Sequence, residues 1–477
     1  MTTTDAVERA LTNNDFDTAF DLLEAAADAA RDSRRRARVE LQLAAVYALY
    51  GRDGIEGGED CLREALRLDG NLATDPLQQA LSAVFTAFAL EAQADPAADA
   101  APRRERAVTA ARAALSGQPE ARFHAAVALI ALGEPEPALT ALEGINVGEL
   151  PRYLAWRYWS WRGGALEDLG RYREAANAYG QGAQAAPDGQ DKAGLLLDKA
   201  AMLLELDEAH EAFAPLEEAR TAHPLGEAPI DEAARLTLEA RAHLALNNPG
   251  LAAERAERAR RLELAAGEPS YGTALVQGQA LATNEQWEPA IAAFREAVSL
   301  ALPPDRAYAL HELGLTQMDA GSLLEAHATL SEAARDREYP HLGEVYADIA
   351  EVEYRLGNYD EAEAAARRAL ELGAVVPASM LLGNIAAEYF RPAEAVVHYQ
   401  RVIEGAPEGS RDWVIAHEMV ADTLAQDGFR DPRGILEHSQ LALPHLDASD
   451  EWALTLQAYI TRATGILQGG ATRTDLN

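Results

Sequence analysis

The chain has 477 residues, of which 48% are hydrophobic, and its formal net charge is −35. Because phosphate binding needs clustered Lys and Arg, this charge argues against nucleic acids and anionic membranes as direct partners and leaves basic proteins compatible. No apolar run predicts a membrane span, and the N-terminus lacks the pattern of a secretory signal. Cys61 is the single cysteine, so no internal disulfide can form, which fits a reducing compartment. We therefore expect a cytoplasmic protein.

Helical periodicity begins close to the N-terminus. Apolar residues at helical spacing predict helices over 4–11 and 15–30, then over 34–50 and 59–68, and then over 77–92 and 103–115. The two helices of the second pair are separated by GRDGIEGGED, and those of the third pair by ADPAADAAP; both segments contain the Gly or Pro residues typical of turns. We interpret residues 1–118 as three degenerate helix pairs.

From residue 119 the pairs become regular, and the clearest of them is residues 156–187. Numbered from Trp156, it places Trp159 at position 4, Gly163 at 8, Gly170 at 15, Ala175 at 20, Tyr179 at 24 and Pro187 at 32. Two antiparallel helices cross closely only where small residues meet, here Gly163 and Ala175. Gly170 permits the turn between the helices, and Pro187 cannot continue the second one.

The same small-residue spacing recurs along the chain. Pairs twelve residues apart are Ala126/Ala138, Ala200/Ala212, Ala240/Ala252, Gly278/Ala290, Gly314/Ala326, Ala350/Ala362 and Gly383/Ala395. Pro224 and Pro407 fall at position 32 of their copies. The resulting helix pairs span 119–146, 151–187, 191–224, 229–266, 269–302, 304–339, 341–374, 377–407 and 410–446. A single helix is predicted over 451–467.

This pattern closely resembles the tetratricopeptide-repeat family. The resemblance implies an all-α, tetratricopeptide-like α-solenoid: a right-handed superhelix of about twelve helix-turn-helix repeats with a C-terminal capping helix. Its parts are the degenerate repeats (1–118), the regular repeats (119–446) and the cap with a short tail (447–477), as one continuous solenoid. We expect more than roughly 70% helix and no sheet.

Sequence motifs for catalysis or for metal and cofactor binding fail on inspection. Three His-Glu pairs begin at His210, His311 and His417, but a zinc-protease helix needs a second histidine four residues later. Those places hold Ala214, Leu315 and Ala421. GRDGIEGGED lacks the Lys-Ser/Thr ending of a phosphate-binding loop and follows a helix rather than a strand. We expect no catalytic residue, no metal and no cofactor.

In the repeat family, first-helix positions 2, 5, 6, 9, 12 and 13 face a concave groove that holds ligand segments. Carried onto this chain, they place twelve acidic residues there against Arg157, Arg241 and Arg355. That excess predicts an acidic groove, although the exposed faces of an acidic protein would be acidic in any case. The candidate partner-binding residues are Trp161, Glu167, Asp168, Asp198, Glu205, His311, Glu312, Asp319, Asp348, Glu351, Tyr354 and Asn384.

These residues predict a non-catalytic scaffold or adaptor that binds a protein or peptide, with a basic segment in the acidic groove. Trp161 is the first candidate for an aromatic anchor, unless a neighbouring helix partly buries it. Two other classes remain open. One is a regulatory sensor array that binds a peptide or small ligand, and the other is an enzyme with an unrecognised site in the groove.

Overall fold

The computed structural model describes residues 3–92, 100–187, 189–223 and 229–474. Helices account for 83% of the chain, and the described residues contain no strand, as the sequence predicted. The chain divides into two compact units, Met1–Glu268 and Pro269–Asn477, called here the N-terminal and C-terminal units.

The N-terminal unit contains fourteen α-helices within its described residues. They are α1 (Thr3–Thr12), α2 (Phe16–Ala29), α3 (Ser33–Tyr47), α4 (Ile55–Leu68), α5 (Pro76–Glu91), α6 (Ala100–Ala114), α7 (Pro119–Ala131), α8 (Pro135–Glu143), α9 (Arg152–Asp168), α10 (Tyr172–Ala185), α11 (Gln190–Glu205), α12 (Ala209–Ala222), α13 (Pro229–Ala245) and α14 (Pro249–Ala266). Short 3-10 helices cover Ala48–Gly54, Gly70–Thr74 and Val147–Glu149.

The C-terminal unit continues the alternation of first and second helices. It contains α15 (Tyr271–Thr283), α16 (Trp287–Leu300), α17 (Pro303–Asp319), α18 (Leu323–Ala333), α19 (Leu342–Leu356), α20 (Tyr359–Glu371), α21 (Val375–Glu388), α22 (Pro392–Gly405), α23 (Arg411–Gln426), α24 (Pro432–Ala442) and α25 (Glu451–Thr474). A 3-10 helix covers Leu443–His445. The single helix predicted over 451–467 therefore extends to Thr474.

Side-chain caps fix several helix starts. Asp15, Asp32, Asp75, Ser270 and Ser410 each accept a hydrogen bond from a backbone N–H in the first turn of the helix that follows. Such a cap satisfies a donor that has no partner inside the helix and contributes about 1 kcal/mol.

The turn between the two helices of a repeat contains a residue with positive φ at the same position in eight copies. The residue at position 15 has a positive φ of 55–81° in every copy from α7 to α22. These residues are Gly133, Gly170, Asp207, Asn247, Glu285, Gly321, Gly357 and Phe390. Because a left-handed residue is uncommon outside glycine, its recurrence at one position confirms the register read from the sequence.

The predicted small positions are contact points between helices. The alanines at position 20 are fully buried in all eight copies: Ala138, Ala175, Ala212, Ala252, Ala290, Ala326, Ala362 and Ala395. Where position 8 is glycine, an added β-carbon would lie 2.4–2.7 Å from the side chain at position 24 of the same repeat. These pairs are Gly163–Tyr179, Gly278–Phe294, Gly314–Leu330 and Gly383–Tyr399. The glycines therefore allow a large residue on the second helix to pack against the first.

The glycine-rich segment GRDGIEGGED is more helical than predicted. Only Gly51 has a positive φ there, and α4 begins at Ile55 rather than at residue 59. A β-carbon at Gly58 would lie 2.0 Å from the Phe85 ring, and one at Gly54 would lie 2.0 Å from the Tyr47 carbonyl oxygen. Close packing against neighbouring residues therefore requires these two glycines. Residues 94–99 of the predicted loop over 94–102, and Pro224, lie outside the described residues.

First helices of neighbouring repeats contact one another within each unit. In the C-terminal unit α17 contacts α19, α19 contacts α21, and α21 contacts α23. In the N-terminal unit α3 contacts α5, α5 contacts α7, and α11 contacts α13. The first helices therefore line the inner side of each unit, where the sequence places the groove residues.

The N-terminal helix makes a contact that repeat order does not predict. Helix α1 of the first pair packs against α9 of the fifth, although three helix pairs lie between them in sequence. The Glu8 carboxylate accepts a hydrogen bond from the Arg152 backbone N–H over 3.1 Å. Asn14, in the turn after α1, accepts another from the Arg157 guanidinium over 3.0 Å. These bonds bring the first repeat onto the fifth, on the inner side of the N-terminal unit.

Candidate functional site

In the C-terminal unit, the predicted groove residues lie on α17, α19 and α21. We call the set Glu312, Asp319, Asp348, Glu351, Tyr354 and Glu388 the acidic face. Successive first helices are in contact, so the residue at position 12 or 13 of one repeat lies near the first helix of the next repeat.

Two carboxylates of the acidic face are already paired. Asp348 Oδ2 lies 2.6 Å from His311 Nε2 on the preceding repeat, and His311 Nδ1 lies 3.2 Å from the Tyr339 hydroxyl. Arg355 Nε donates to Glu351 Oε1 over 2.6 Å. The structure therefore brings predicted groove residues together, and it buries His311 among them.

Tyrosine hydroxyls hold two other groove residues. Tyr354 donates to Glu388 Oε1 over 3.3 Å, and Tyr399 donates to Asn384 Oδ1 over 2.9 Å. The ring of Tyr354 lies 5.4 Å from that of Tyr359, which lies 6.0 Å from Tyr389. These three tyrosines form a row of aromatic rings beside the acidic face.

Some carboxyl groups on the inner side form no ion pair within the described residues. Burial raises the pKa of Glu312, although His311 and hydrogen bonds from Tyr308 and Gln279 oppose that shift. Burial, and then the charge of Asp450, raise the pKa of Glu418 on α23 to about 7. Asp319 is exposed and has no ion pair among the described residues. Such groups accumulate negative potential that a bound cation would relieve.

The predicted acids of the N-terminal unit are mostly on its surface. Tyr179 donates to Glu167 Oε2 over 2.8 Å, and Arg241 donates to Glu205 Oε1 over 2.7 Å. Desolvation by the surrounding protein, and then the charge of Glu167, raise the pKa of Asp198 to about 6, although the residue is exposed by surface area. Asp168 is also exposed.

Trp161 lies at a cleft of about 240 Å³ between α5, α7, α9 and the 3-10 segment after α3. It is half-buried, and Trp156, Arg157 and Ser160 also line the cleft. Arg157, which the family register places in the groove, is only 8% exposed. Its guanidinium lies 4.2 Å above the Trp156 ring.

Sequence reasoning missed the tyrosines that contact groove residues from the second helix. Tyr179 and Tyr399 occupy position 24, where the neighbouring copies have Phe294 and Leu330. A tyrosine there fills the same space and also carries a hydroxyl that reaches Glu167 or Asn384. A tyrosine at position 24 in the sequence therefore predicts a hydrogen bond to a groove residue of the same repeat.

Among the described residues, no three His, Cys, Asp or Glu side chains are grouped so that they could hold a metal ion. Within the same part of the chain, every helix is too short or too polar to cross a membrane.

The family model described as "Tetratricopeptide repeat" matches residues 343–372, which form α19 and α20. The predicted resemblance to the tetratricopeptide-repeat family is confirmed. Such repeats support a protein-interaction scaffold in general terms.

Several solved structures are similar to this chain. The hetero-tetramer Cut9–Hcn1 of APC/C has 13% identity and a TM-score of 0.39, with 88% of this chain and 96% of that chain covered. The C-terminal part of a TPR repeat-containing protein from Cytophaga hutchinsonii has 17% identity and a TM-score of 0.40, with 55% and 98% covered. PilF of Pseudomonas aeruginosa has 19% identity and a TM-score of 0.37, with 51% and 96% covered. Comparison with curated protein sequences gives no significant match.

Proposed function

We propose that the protein is a non-catalytic scaffold that binds a basic segment of a partner protein on the acidic face of its C-terminal unit. The observation that carries the proposal is the set of half-buried or unpaired carboxyl groups on adjacent first helices. The pKa of Glu312 is raised because its charged form is poorly solvated, and Asp319 has no ion pair within the described chain. A guanidinium or ammonium group would supply the missing charge.

The tyrosine row offers anchors for the same partner. Tyr354, Tyr359 and Tyr389 present neighbouring rings, and aromatic faces attract cations within about 6 Å of the ring centroid. The chain already uses one of them in this way, because the Arg391 guanidinium lies 4.7 Å from the centre of the Tyr389 ring. Carboxylates therefore attract the basic segment, and the rings add contact area once it is bound.

The proposal is tested with a nine-residue probe peptide that has arginine at alternate positions. A matched peptide with citrulline in place of arginine keeps the shape and removes the charge. We expect the arginine peptide to bind roughly 10-fold more tightly, and its association to slow as salt increases. Stopped-flow fluorescence on a labelled peptide measures both rates.

Charge reversal separates the acidic face from net charge. Asp348→Lys with Glu351→Lys should slow association of the arginine peptide by about 10-fold or more. The matched control is Glu361→Lys with Glu404→Lys, which makes the same charge change at exposed positions on the second helices α20 and α22. Equal effects of the two double variants would show that net charge alone attracts the peptide, and the proposed face would then be wrong.

A further inference from the structure

The cleft at Trp161 differs in chemistry from the acidic face. Its volume is about 240 Å³, and Phe88, Phe123 and Trp161 supply aromatic walls. Pockets for drug-sized ligands usually measure about 300–1,000 Å³, so this cleft suits a molecule with a single ring.

Two nitrogen atoms of residues that line the cleft are buried without a hydrogen bond. They are Nε2 of His124 and the indole Nε1 of Trp156. His124 is only 2% exposed, and burial lowers its pKa to about 4, so the ring is neutral at pH 7. Buried polar groups in native proteins almost always have partners, and leaving one unpaired costs about 1–3 kcal/mol. The two nitrogens therefore indicate missing hydrogen-bond partners near the cleft.

Arg157, which also lines the cleft, carries a positive charge that forms no ion pair within the described residues. Its guanidinium donates to the Tyr153 carbonyl oxygen over 2.6 Å and to Asn14 Oδ1 over 3.0 Å, and both acceptors are neutral. Asp191 contacts the Asn14 amide instead, and no carboxylate forms a salt bridge with Arg157 in the described residues. Burial lowers the pKa of Arg157 to about 10, although the charges of Asp191 and then Tyr153 oppose that shift. An anion at this wall would stabilise it.

We propose that this cleft binds a small aromatic carboxylate. The ring packs against Phe88, Phe123 and Trp161, and the carboxylate supplies acceptors for Arg157 and for the Trp156 N–H. The ligand chemistry is opposite to that of the partner site, since one site takes an anion and the other takes cations. The inference is independent of the proposed scaffold function.

The negative charge of the whole chain makes this proposal easy to test. A protein of net charge −35 repels anions in general, so binding of a carboxylate identifies a local site. Benzoate, its neutral analogue benzamide and the cation benzylamine have nearly the same size. We expect benzoate to bind the full-length protein with a Kd on the order of 1 mM, which is typical of a nine-atom ligand. Benzamide should bind at least about 10-fold more weakly, because it lacks the charge that pairs with Arg157. Benzylamine should not bind.

Two variants at one position decide whether the cleft is the site. Ser160→Leu adds a bulky side chain to the cleft and should abolish benzoate binding by isothermal titration calorimetry. Ser160→Ala leaves the volume open and removes no group that pairs with the carboxylate, so the affinity should stay within about threefold, which is less than the loss of one hydrogen bond to a charged group. Arg157→Met should bring the affinities for benzoate and benzamide together. If that variant does not fold, as judged by circular dichroism, the Ser160 pair still gives the answer. Absence of benzoate binding at 20 mM, roughly twenty times the expected Kd, would contradict the proposal, as would equal binding of benzamide or unchanged binding by Ser160→Leu.

Discussion

The two units use one repeat and present two different inner surfaces. Both bury alanine at position 20 and turn through a left-handed residue at position 15. The inner side of the N-terminal unit, however, is covered in part by α1 and contains the buried cation of Arg157. The inner side of the C-terminal unit carries carboxylates and a row of tyrosines. The core positions thus fix the fold, and the remaining first-helix positions are free to set the chemistry of each surface.

The contact between α1 and α9 accounts for part of this difference. In a solenoid each repeat normally contacts only its neighbours, so an extended inner surface stays open. Here hydrogen bonds join Glu8 to Arg152 and Asn14 to Arg157 across more than 140 residues. The contact encloses aromatic and polar side chains that would otherwise face water. A small ligand suits the N-terminal unit better than an extended segment for this reason.

The largest expected difference between the units is a loss of stability at low pH in the N-terminal unit, caused by protonation of His124. Burial lowers the pKa of His124 from 6.5 to about 4, so the folded state resists protonation more than the unfolded state does. The neutral ring therefore contributes stability that is fully present above pH 6.5 and is lost as the pH falls through 4. The shift corresponds to about 3 kcal/mol. His124→Phe should remove this loss between pH 7 and 4.

Hydrogen exchange on the full-length protein gives the measurement. At pH 4.5 the amides of α7 should lose protection in the wild type, measured as the ratio of the intrinsic to the observed exchange rate, and they should keep it in His124→Phe. Amides of α19 in the C-terminal unit should respond equally to acid in both proteins. A variant that is as acid-sensitive as the wild type in α7 would show that His124 does not cause the loss.

Sequence reasoning predicted the parts of the fold that local rules determine. Gly163, Ala175 and Tyr179 follow from the close crossing of two helices, and the structure packs Gly163 against Tyr179 and buries Ala175. The beginning of α4 was wrong by four residues, because the glycines at 54 and 58 serve packing against Tyr47 and Phe85. A glycine needed for close packing and a glycine needed for a turn look the same in a sequence.

The candidate site was only partly predictable, for a different reason. The register placed His311, Asp348 and Tyr354 on first helices, and the structure shows the partners that the register could not supply. Contacts such as that of Asn14 with Arg157 join residues far apart in the chain. No periodicity encodes them. The predicted role of the acidic residues in partner binding stays a prediction.

The second prediction tests whether the small positions stabilise both units alike. Ala175→Leu in the N-terminal unit and Ala326→Leu in the C-terminal unit should each lower the free energy of unfolding by about 1–3 kcal/mol, because both alanines are fully buried where helices cross. Urea unfolding monitored by circular dichroism measures the change. Ala185→Leu and Ala328→Leu, at exposed places on the same second helices, are the matched controls. If a control variant is destabilised as much as the buried-site variant on the same helix, close helix crossing is not the cause of the lost stability.

The smallest expected effect concerns the left-handed turn residue. The N-terminal unit has Asp207 and Asn247 at two of these turns, and short polar side chains tolerate a positive φ. The C-terminal unit has Phe390 there at φ 55°, with 91% of its surface exposed. Phe390→Gly should therefore relieve backbone strain without losing burial and stabilise the protein by about 1 kcal/mol.

Asn247→Gly is the matched comparison and should change stability by only a few tenths of a kcal/mol, since asparagine has less strain to lose and glycine raises the entropy of the unfolded chain. Thermal melting of both variants beside the wild type gives the two shifts. A loss of stability in Phe390→Gly would mean that the ring makes a favourable contact that outweighs the strain of its backbone. Equal shifts would show that all eight turns tolerate any residue to the same degree, and the contrast between the turns of the two units would then have no energetic basis.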